Sequence, residues 1–89
     1  MIKIVKAEYI DDYRIRLFFS DSTVGDFDAS ELISREGPMV APLRDKIFFQ
    51  DFFLELGALC WKNGFELSPG SLHGRLKEKS LLHSGKAAA

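Results

Sequence analysis

The sequence predicts one small α+β domain, in which a small antiparallel sheet packs against two or three short helices. Residues 4–28 alternate apolar and polar side chains with a period of two between short polar turns, which is typical of a three-stranded meander. Later apolar segments predict one or two further strands, and the Ser-Pro pair at Ser68 begins a helical pattern. The length of 89 residues, 46% of them hydrophobic, suits a single hydrophobic core. We therefore place the domain at residues 1–79 and expect residues 80–89 to form a flexible tail.

The strands of the meander follow from the alternation. The first, IVKAEYI, places Val5, Ala7 and Tyr9 on one face. The second, YRIRLFF, has an apolar side chain at every odd position of residues 13–19. The third, TVGDFD, follows the polar turn SDST, in which Ser22 occupies a position that favours glycine because the turn needs a positive φ.

Two short helices and a loop are predicted after the meander. Asp28 is the expected N-cap of the first helix, and Glu31 follows it at the spacing of a capping box. Residues 35–42 contain one glycine and two prolines, which predicts an irregular loop long enough to have a function of its own. A helix of one or two turns is expected from about Asp45 to Asp51.

The C-terminal half is predicted to add two strands before the last helix. The strands span residues 52–56 and 58–61, with Gly57 in the turn between them, and the pair Asn63-Gly64 forms the next turn.

The last helix begins with Ser68 as its N-cap and Pro69 as its first residue. Leu72 and Leu76 share one face of this helix because they lie four residues apart. We expect that face to be its buried side.

The charges are unevenly distributed along the chain. Residues 1–70 contain eight Lys or Arg against twelve Asp or Glu, whereas the last nineteen residues contain one acid, Glu78, against four bases. These bases are Arg75, Lys77, Lys79 and Lys86. Nucleic-acid binding requires clustered cations, which the acidic body lacks. Because the last helix and the residues after it are basic, we retain an alternative function: a nucleic-acid-binding accessory protein that contacts nucleic acid through this helix.

The sequence lacks the residue patterns of common enzymes and metal sites. Cys60, His73 and His83 do not have the paired short spacings of zinc ligands, and Cys60 next to a tryptophan is expected to be buried rather than nucleophilic. The acidic residues of the third strand and first helix are expected to serve in turns, caps and a solvent-facing strand position; they are Asp21, Asp26, Asp28 and Glu31. We therefore expect a protein that is not an enzyme and has no metal or cofactor.

The aromatic segment FFQDFF suggests a contact surface. The side chains of Phe48, Phe49, Phe52 and Phe53 cannot all point the same way on a helix or on a strand, so some of them are expected at the surface. An exposed aromatic patch on a small protein marks a partner or self-association surface. The alternative is that two elements enclose the segment and bury it. We select the exposed members of this segment, the loop of residues 35–42 and the basic positions Arg75, Lys77 and Lys79 as partner-binding residues.

The order of these motifs resembles the bacterial family catalogued as domain of unknown function 2442. The resemblance extends from about Val5 to Leu76 and is most specific in the stretch WKNGFELSPGSL. The signature positions in this chain are Asp21, Asp28, Pro42, Leu43, Asp45, Trp61, Asn63, Gly64, Leu67, Pro69 and Leu72. The chain departs from the family pattern at Ser22, Glu66 and His73, where the family tends to have glycine, aspartate and tyrosine.

The resemblance implies an α+β sensing or dimerising module, because the family's fold is similar to the N-terminal domain of a two-domain helix-turn-helix protein. Some members lie beside small toxin-like genes. We therefore expect a cytoplasmic interaction or regulatory module that binds a protein partner, such as a toxin-like protein or a transcriptional regulator. Homodimerisation would supplement its small core. A small-molecule-binding domain around Trp61, His73 and the last helix is a further alternative.

Overall fold

The computed structural model describes residues 1–85 and begins with the meander that the sequence predicts. Strands β1 (Ile4–Asp11), β2 (Arg14–Phe19) and β3 (Thr23–Asp28) pair antiparallel in chain order. The odd positions of β2, from Ile15 to Phe19, are buried, whereas Arg14 and Arg16 are exposed. The period-two alternation therefore predicted the core face of β2 correctly.

Strand β1 departs from the predicted alternation at Val5. Ile4 pairs with Phe19 and Lys6 pairs with Phe18, so Val5 is an extra residue opposite the β2 strand, as in a β-bulge. The bulge leaves Val5 62% exposed and places Ile4 in the core. The prediction that Val5 shares the face of Ala7 and Tyr9 is therefore wrong, because a bulge changes which residues point inward.

The predicted C-terminal strands form a second sheet rather than extending the first. Strands β4 (Phe53–Glu55), β5 (Ala58–Cys60) and β6 (Glu66–Leu67) pair antiparallel in this order. The turn between β4 and β5 touches the first sheet through a hydrogen bond from the Ile4 N–H to the Gly57 carbonyl, 2.9 Å.

The chain after residue 79 folds back onto the first sheet. The Leu81 N–H donates to the Leu76 carbonyl at 2.9 Å, and strand β7 (His83–Ser84) pairs antiparallel with Thr23 and Val24 of β3. The prediction of a flexible tail is therefore wrong for residues 80–85, because this return supplies hydrogen-bond partners along the edge of β3. The rest of the predicted tail, residues 86–89, lies outside the described residues.

Three helices and one 3₁₀ turn lie between and after the strands. They are α1 (Ser30–Ile33), the 3₁₀ turn (Ala41–Arg44), α2 (Lys46–Gln50) and α3 (Pro69–Glu78). Asp45 and Ser68 cap α2 and α3: the Asp45 carboxylate accepts from the Ile47 N–H at 2.9 Å, and the Ser68 hydroxyl accepts from the Ser71 N–H at 3.4 Å.

The predicted capping box at α1 does not form. Ala29 occupies the N-cap position and makes no side-chain cap bond, while the Asp28 carboxylate, one residue earlier, accepts from the Ser30 N–H at 2.9 Å. Asp28 thus makes the local bond of a turn, and α1 has only four residues, so Glu31 lies one position too early relative to the actual cap.

Both sheets and the helices contribute to one hydrophobic core. The largest fully buried side chains are Trp61, Phe27, Phe49, Ile15, Leu17, Leu43, Leu59 and Leu76. Within residues 1–85 no polar or charged residue is buried. None of the helices in the described part of the chain has the length and apolar character needed to cross a membrane.

Replacing Ser22 by glycine is expected to stabilise the fold. Ser22 has φ 69°, a left-handed conformation that costs a side-chain-bearing residue about 1–2 kcal/mol, part of which glycine's greater freedom in the unfolded chain offsets. We expect the free energy of unfolding to rise by about 0.5–1 kcal/mol, measured by urea denaturation. Ser20→Gly is the matched control, because the Ser20 hydroxyl accepts from the Lys3 N–H at 3.0 Å and its loss should destabilise. Equal effects of the two substitutions would contradict the assignment of strain to Ser22.

Candidate functional site

The four phenylalanines of the predicted contact surface have different environments. Phe49 is completely buried, Phe48 and Phe52 are half-buried, and Phe53 is 42% exposed. The chain changes from helix α2 to strand β4 within this segment, which turns Phe49 inward and Phe53 outward. Phe49 is therefore a core residue that cannot contact a partner, and of the four Phe53 offers the most surface.

Phe53 lies on the outer face of the second sheet. It pairs with Cys60, and Cys60 pairs with Glu66, so these three side chains form a row across β4, β5 and β6. Glu55 shares this face because it lies two residues after Phe53. The opposite face carries Leu54, Leu59 and Leu67 toward the core.

The tip of the β4–β5 hairpin presents an apolar side chain in a strained backbone. Leu56 is 91% exposed and has φ 51°, followed by Gly57 with φ 81°. Two successive positive φ values in a two-residue loop are the pattern of a type I′ turn, in which asparagine-glycine is the favoured pair. Glycine is required at position 57, since a Cβ there would lie 2.7 Å from Lys3 Cβ. Leucine at the first position costs about 1–2 kcal/mol without burying its side chain in the domain.

The outer face is acidic. Cys60 is 4% exposed, and burial together with the nearby Glu66 and Glu55 carboxylates raises the pKa of its thiol. Its Sγ lies 3.9 Å from Glu66 Oε2 and 3.7 Å from the Ala58 carbonyl oxygen, both of which disfavour a thiolate. Within residues 1–85, neither Glu55 nor Glu66 forms an ion pair with a basic side chain. The face therefore combines an exposed aromatic ring with two carboxylates that form no ion pair among the described residues.

His73 connects helix α3 to the β2–β3 turn. Its Nε2 lies 2.8 Å from Asp21 Oδ2, and its ring packs edge-on against Phe19 with 5.0 Å between centroids. The hydrogen bond from the Thr23 hydroxyl lowers the pKa of the Asp21 carboxyl, and the contact with His73 lowers it further. The arrangement fixes a turn and a helix relative to each other.

The remaining acidic side chains of the predicted cluster have separate partners. Asp26 pairs with Arg16 through contacts of 2.8 and 3.2 Å, and this hydrogen-bonded pair lowers the pKa of the Asp26 carboxyl. Hydrogen bonds donated by the Ser30 side chain and backbone N–H lower the pKa of the Asp28 carboxyl. In the part of the chain that the structure describes, no group of three or more potential ligands could hold a metal ion.

The family-signature positions with clear contacts are structural. Trp61 is 1% exposed and donates from Nε1 to the Phe49 carbonyl at 2.9 Å. Asn63 donates to the Met39 carbonyl at 2.9 Å and accepts from the Phe65 N–H at 3.3 Å, which joins the loop of residues 35–42 to the turn after β5. Gly64 supplies the positive φ of that turn, 90°. The contact with Asn63 thus helps to hold this loop against the domain.

The predicted basic residues lie on helix α3. Arg75, Lys77 and Lys79 are all exposed, and none of them makes an ion pair within the described residues. Arg75 lines a cleft that it shares with Arg35, whereas Lys77 and Lys79 do not line it. Lys86 of the same basic stretch is outside the described part. The sequence alone did not indicate that Leu56 and Glu55 belong to an exposed surface, or that Arg35 and Arg75 line the same cleft.

No curated protein and no solved structure matches this chain. One family model does match, and it covers residues 4–78. This range nearly coincides with the predicted resemblance and includes both sheets except β7, together with all three helices. The chain therefore belongs to the family described as protein of unknown function (DUF2442).

Proposed function

We propose that the protein is a non-enzymatic interaction module that binds a protein partner through the outer face of the β4–β5 hairpin. The observation that carries this proposal is Leu56, a 91% exposed leucine held at φ 51° in a turn that favours asparagine. Backbone strain at an exposed apolar residue is not explained by the stability of the isolated domain. Burial of the leucine side chain against a partner would contribute about 1.5–3 kcal/mol of binding free energy, which would offset the backbone strain.

The surroundings of Leu56 define the partner's chemistry. Phe53 adds an aromatic contact on the same hairpin, and Glu55 and Glu66 on the same face form no ion pair within residues 1–85. Apolar anchors inside a charged rim are the usual anatomy of a protein interface. The partner segment is therefore one that presents apolar side chains flanked by Lys or Arg.

The side chains that could perform catalysis have structural contacts instead. Cys60 is buried beside carboxylates that raise the pKa of its thiol, and His73 is bonded to Asp21 between two elements of the fold. These contacts favour a binding module over an enzyme. The free thiol of Cys60 suits a reducing compartment, and we propose the cytoplasm.

Replacing Leu56 by asparagine is expected to raise the stability of the domain and at the same time weaken its binding to the partner. The Asn-Gly pair suits the turn, so the free energy of unfolding should rise by about 1 kcal/mol. Partner capture should fall, because an interface anchor contributes about 2 kcal/mol or more, or roughly 30-fold in affinity. The measurement is quantitative mass spectrometry of proteins that copurify with the tagged chain from its native lysate, followed by titration of the purified partner.

The matched control is Ile47→Asn. Ile47 is 82% exposed on helix α2, outside the hairpin, so its substitution should leave the captured partner unchanged. A partner retained equally by the L56N and I47N variants would place the contact elsewhere and remove the hairpin from consideration. The partner's identity then decides the role: a toxin-like protein indicates an antitoxin, and a DNA-binding regulator indicates a regulatory subunit.

A further inference from the structure

A second feature, separate from the hairpin, is a cleft of about 250 Å³ at the side of helix α3. Its floor is apolar, since Phe27, Leu32 and Leu72 line it and are between 2% and 8% exposed. Two guanidinium-bearing side chains, Arg35 and Arg75, also line the cleft. The cleft therefore combines an apolar floor with a cationic rim.

These two arginines differ from the others in the described chain. Arg14 and Arg16 each bind a carboxylate through two nitrogen atoms, and Arg44 donates to two backbone carbonyls. Arg35 and Arg75 have no hydrogen-bond acceptor or ion-pair partner for their guanidinium groups within residues 1–85. Both unpartnered arginines thus lie at the same cleft.

The backbone that carries each arginine is held in place. Arg44 donates from Nε to the Ile33 carbonyl at 2.7 Å and from an NH₂ group to the Arg35 carbonyl at 2.6 Å. Helix α3 is anchored by Leu72 and Leu76, which are 3% and 2% exposed. The rim is consequently presented from fixed points, which reduces the conformational cost of binding.

The charged residues that line the cleft are two arginines and one glutamate, so the cleft has a net positive charge. Glu66 also lines the cleft, but its Oε2 lies 3.9 Å from Cys60 Sγ, on the outer face of the second sheet. The hydroxyl of Ser71, a further lining residue, donates to no acceptor among the described residues. A ligand's anionic group would meet two guanidinium groups and a free hydroxyl donor.

We infer that this cleft binds a small amphipathic anion, with an apolar ring or short chain on the floor and a carboxylate, sulfonate or phosphate group between Arg35 and Arg75. Planar guanidinium groups bind such anions with paired, charge-assisted hydrogen bonds. The volume lies just below the usual range for small-molecule sites, about 300–1,000 Å³, so the ligand's apolar body is about the size of one or two fused rings. The inference does not rest on the partner proposed above, and of the residues assigned to that partner's surface only Glu66 lines the cleft.

The test uses naphthalene-1-sulfonate as the anionic probe and 1-naphthalenemethanol as its neutral counterpart. Backbone amide signals of the full chain are followed by two-dimensional NMR while each probe is added. We expect saturable shifts for the sulfonate centred on the residues that line the cleft, at positions 27, 32, 35, 66–68, 71, 72 and 75. Binding of the neutral compound, and of the sulfonate at higher salt, should be weaker.

Two double variants with the same change of charge complete the test. Arg35→Gln with Arg75→Gln should weaken sulfonate binding by roughly tenfold or more, because both charged donors are lost. Lys77→Gln with Lys79→Gln should change it by less than about twofold, since these lysines do not line the cleft. All four side chains are exposed, so both variants should retain the amide spectrum of the folded protein. Shifts centred elsewhere, equal losses in the two variants, equal binding of the neutral compound or no saturable binding would each overturn the inference.

Discussion

Replacing Phe49 by alanine is expected to lower the free energy of unfolding by about 3–5 kcal/mol. Phe49 is completely buried, and its ring contacts Tyr9, Tyr13 and Trp61 at centroid distances of 6.4, 5.2 and 5.8 Å. Alanine would leave a cavity between the first sheet and helix α2 and remove these aromatic contacts. The total stability of a domain of this size is about 4–13 kcal/mol, so the variant should be partly unfolded at 37 °C if the domain lies at the low end.

Urea denaturation monitored by circular dichroism and by Trp61 fluorescence measures the effect. Phe53→Ala is the matched control: the same atoms are removed from a side chain that is 42% exposed, so its effect should be about 1 kcal/mol or less. This pair also distinguishes the two roles within the FFQDFF segment. Similar losses of stability in both variants would contradict the assignment of Phe49 to the core and Phe53 to the surface.

Replacing Leu76 by alanine is expected to lower the free energy of unfolding by about 2–5 kcal/mol. Leu76 is 2% exposed and fills the space above Gly25, where an added Cβ would lie 2.9 Å from Leu76 Cδ1. The Leu76 carbonyl also accepts from the Leu81 N–H, so this turn of α3 positions the chain that leads to β7. Loss of the side chain should therefore loosen both the helix and the return strand.

Hydrogen exchange of the Gly85 amide reports on that second consequence, because this amide donates to the Ser22 carbonyl at 2.6 Å. Lys77→Ala is the matched control on the exposed side of the same helix and should change stability by about 0.5 kcal/mol or less. Slow exchange at Gly85 in the Leu76→Ala variant, together with unchanged stability, would show that α3 does not hold β7 in place.

Some elements could be predicted because their signals are local. Strand β2 has a strict alternation, α3 has the Ser68-Pro69 start, and α2 begins directly after its N-cap Asp45, close to the expected position. In each case a few neighbouring residues determine the conformation through side-chain period or capping. The match of the family model to residues 4–78 confirms the resemblance on which the fold expectation also depended.

Other features depend on contacts between distant segments. The bulge at Val5 turns the Ile4 side chain into the core and the Val5 side chain toward solvent, and no residue type in the sequence marks the bulge. Strand β7 forms because Leu81 and Leu82 lie against Gly25, 56 and 57 positions away in the chain (81 − 25 and 82 − 25). Propensity over a short window cannot show such pairings, because their free energy comes from tertiary packing.

The candidate binding surfaces were likewise predicted only in part from the sequence. The sequence determined that an aromatic segment and a basic end exist, but a doublet-spacer-doublet of phenylalanines does not reveal which ring is buried. The structure placed Phe49 in the core, left Phe53 and Leu56 exposed on one hairpin, and placed Arg35 and Arg75 in the lining of one cleft.

By itself the sequence determined the composition of the domain, its family, the order of its main elements and the inward face of β2, since these depend on residue identity and local period. Only the tertiary structure decided that the later strands form a second sheet, that residues 80–85 return to the first sheet and which charged side chains lack partners. The physical reason is that burial and ion pairing are properties of the space between segments, and that space exists only once the chain has folded.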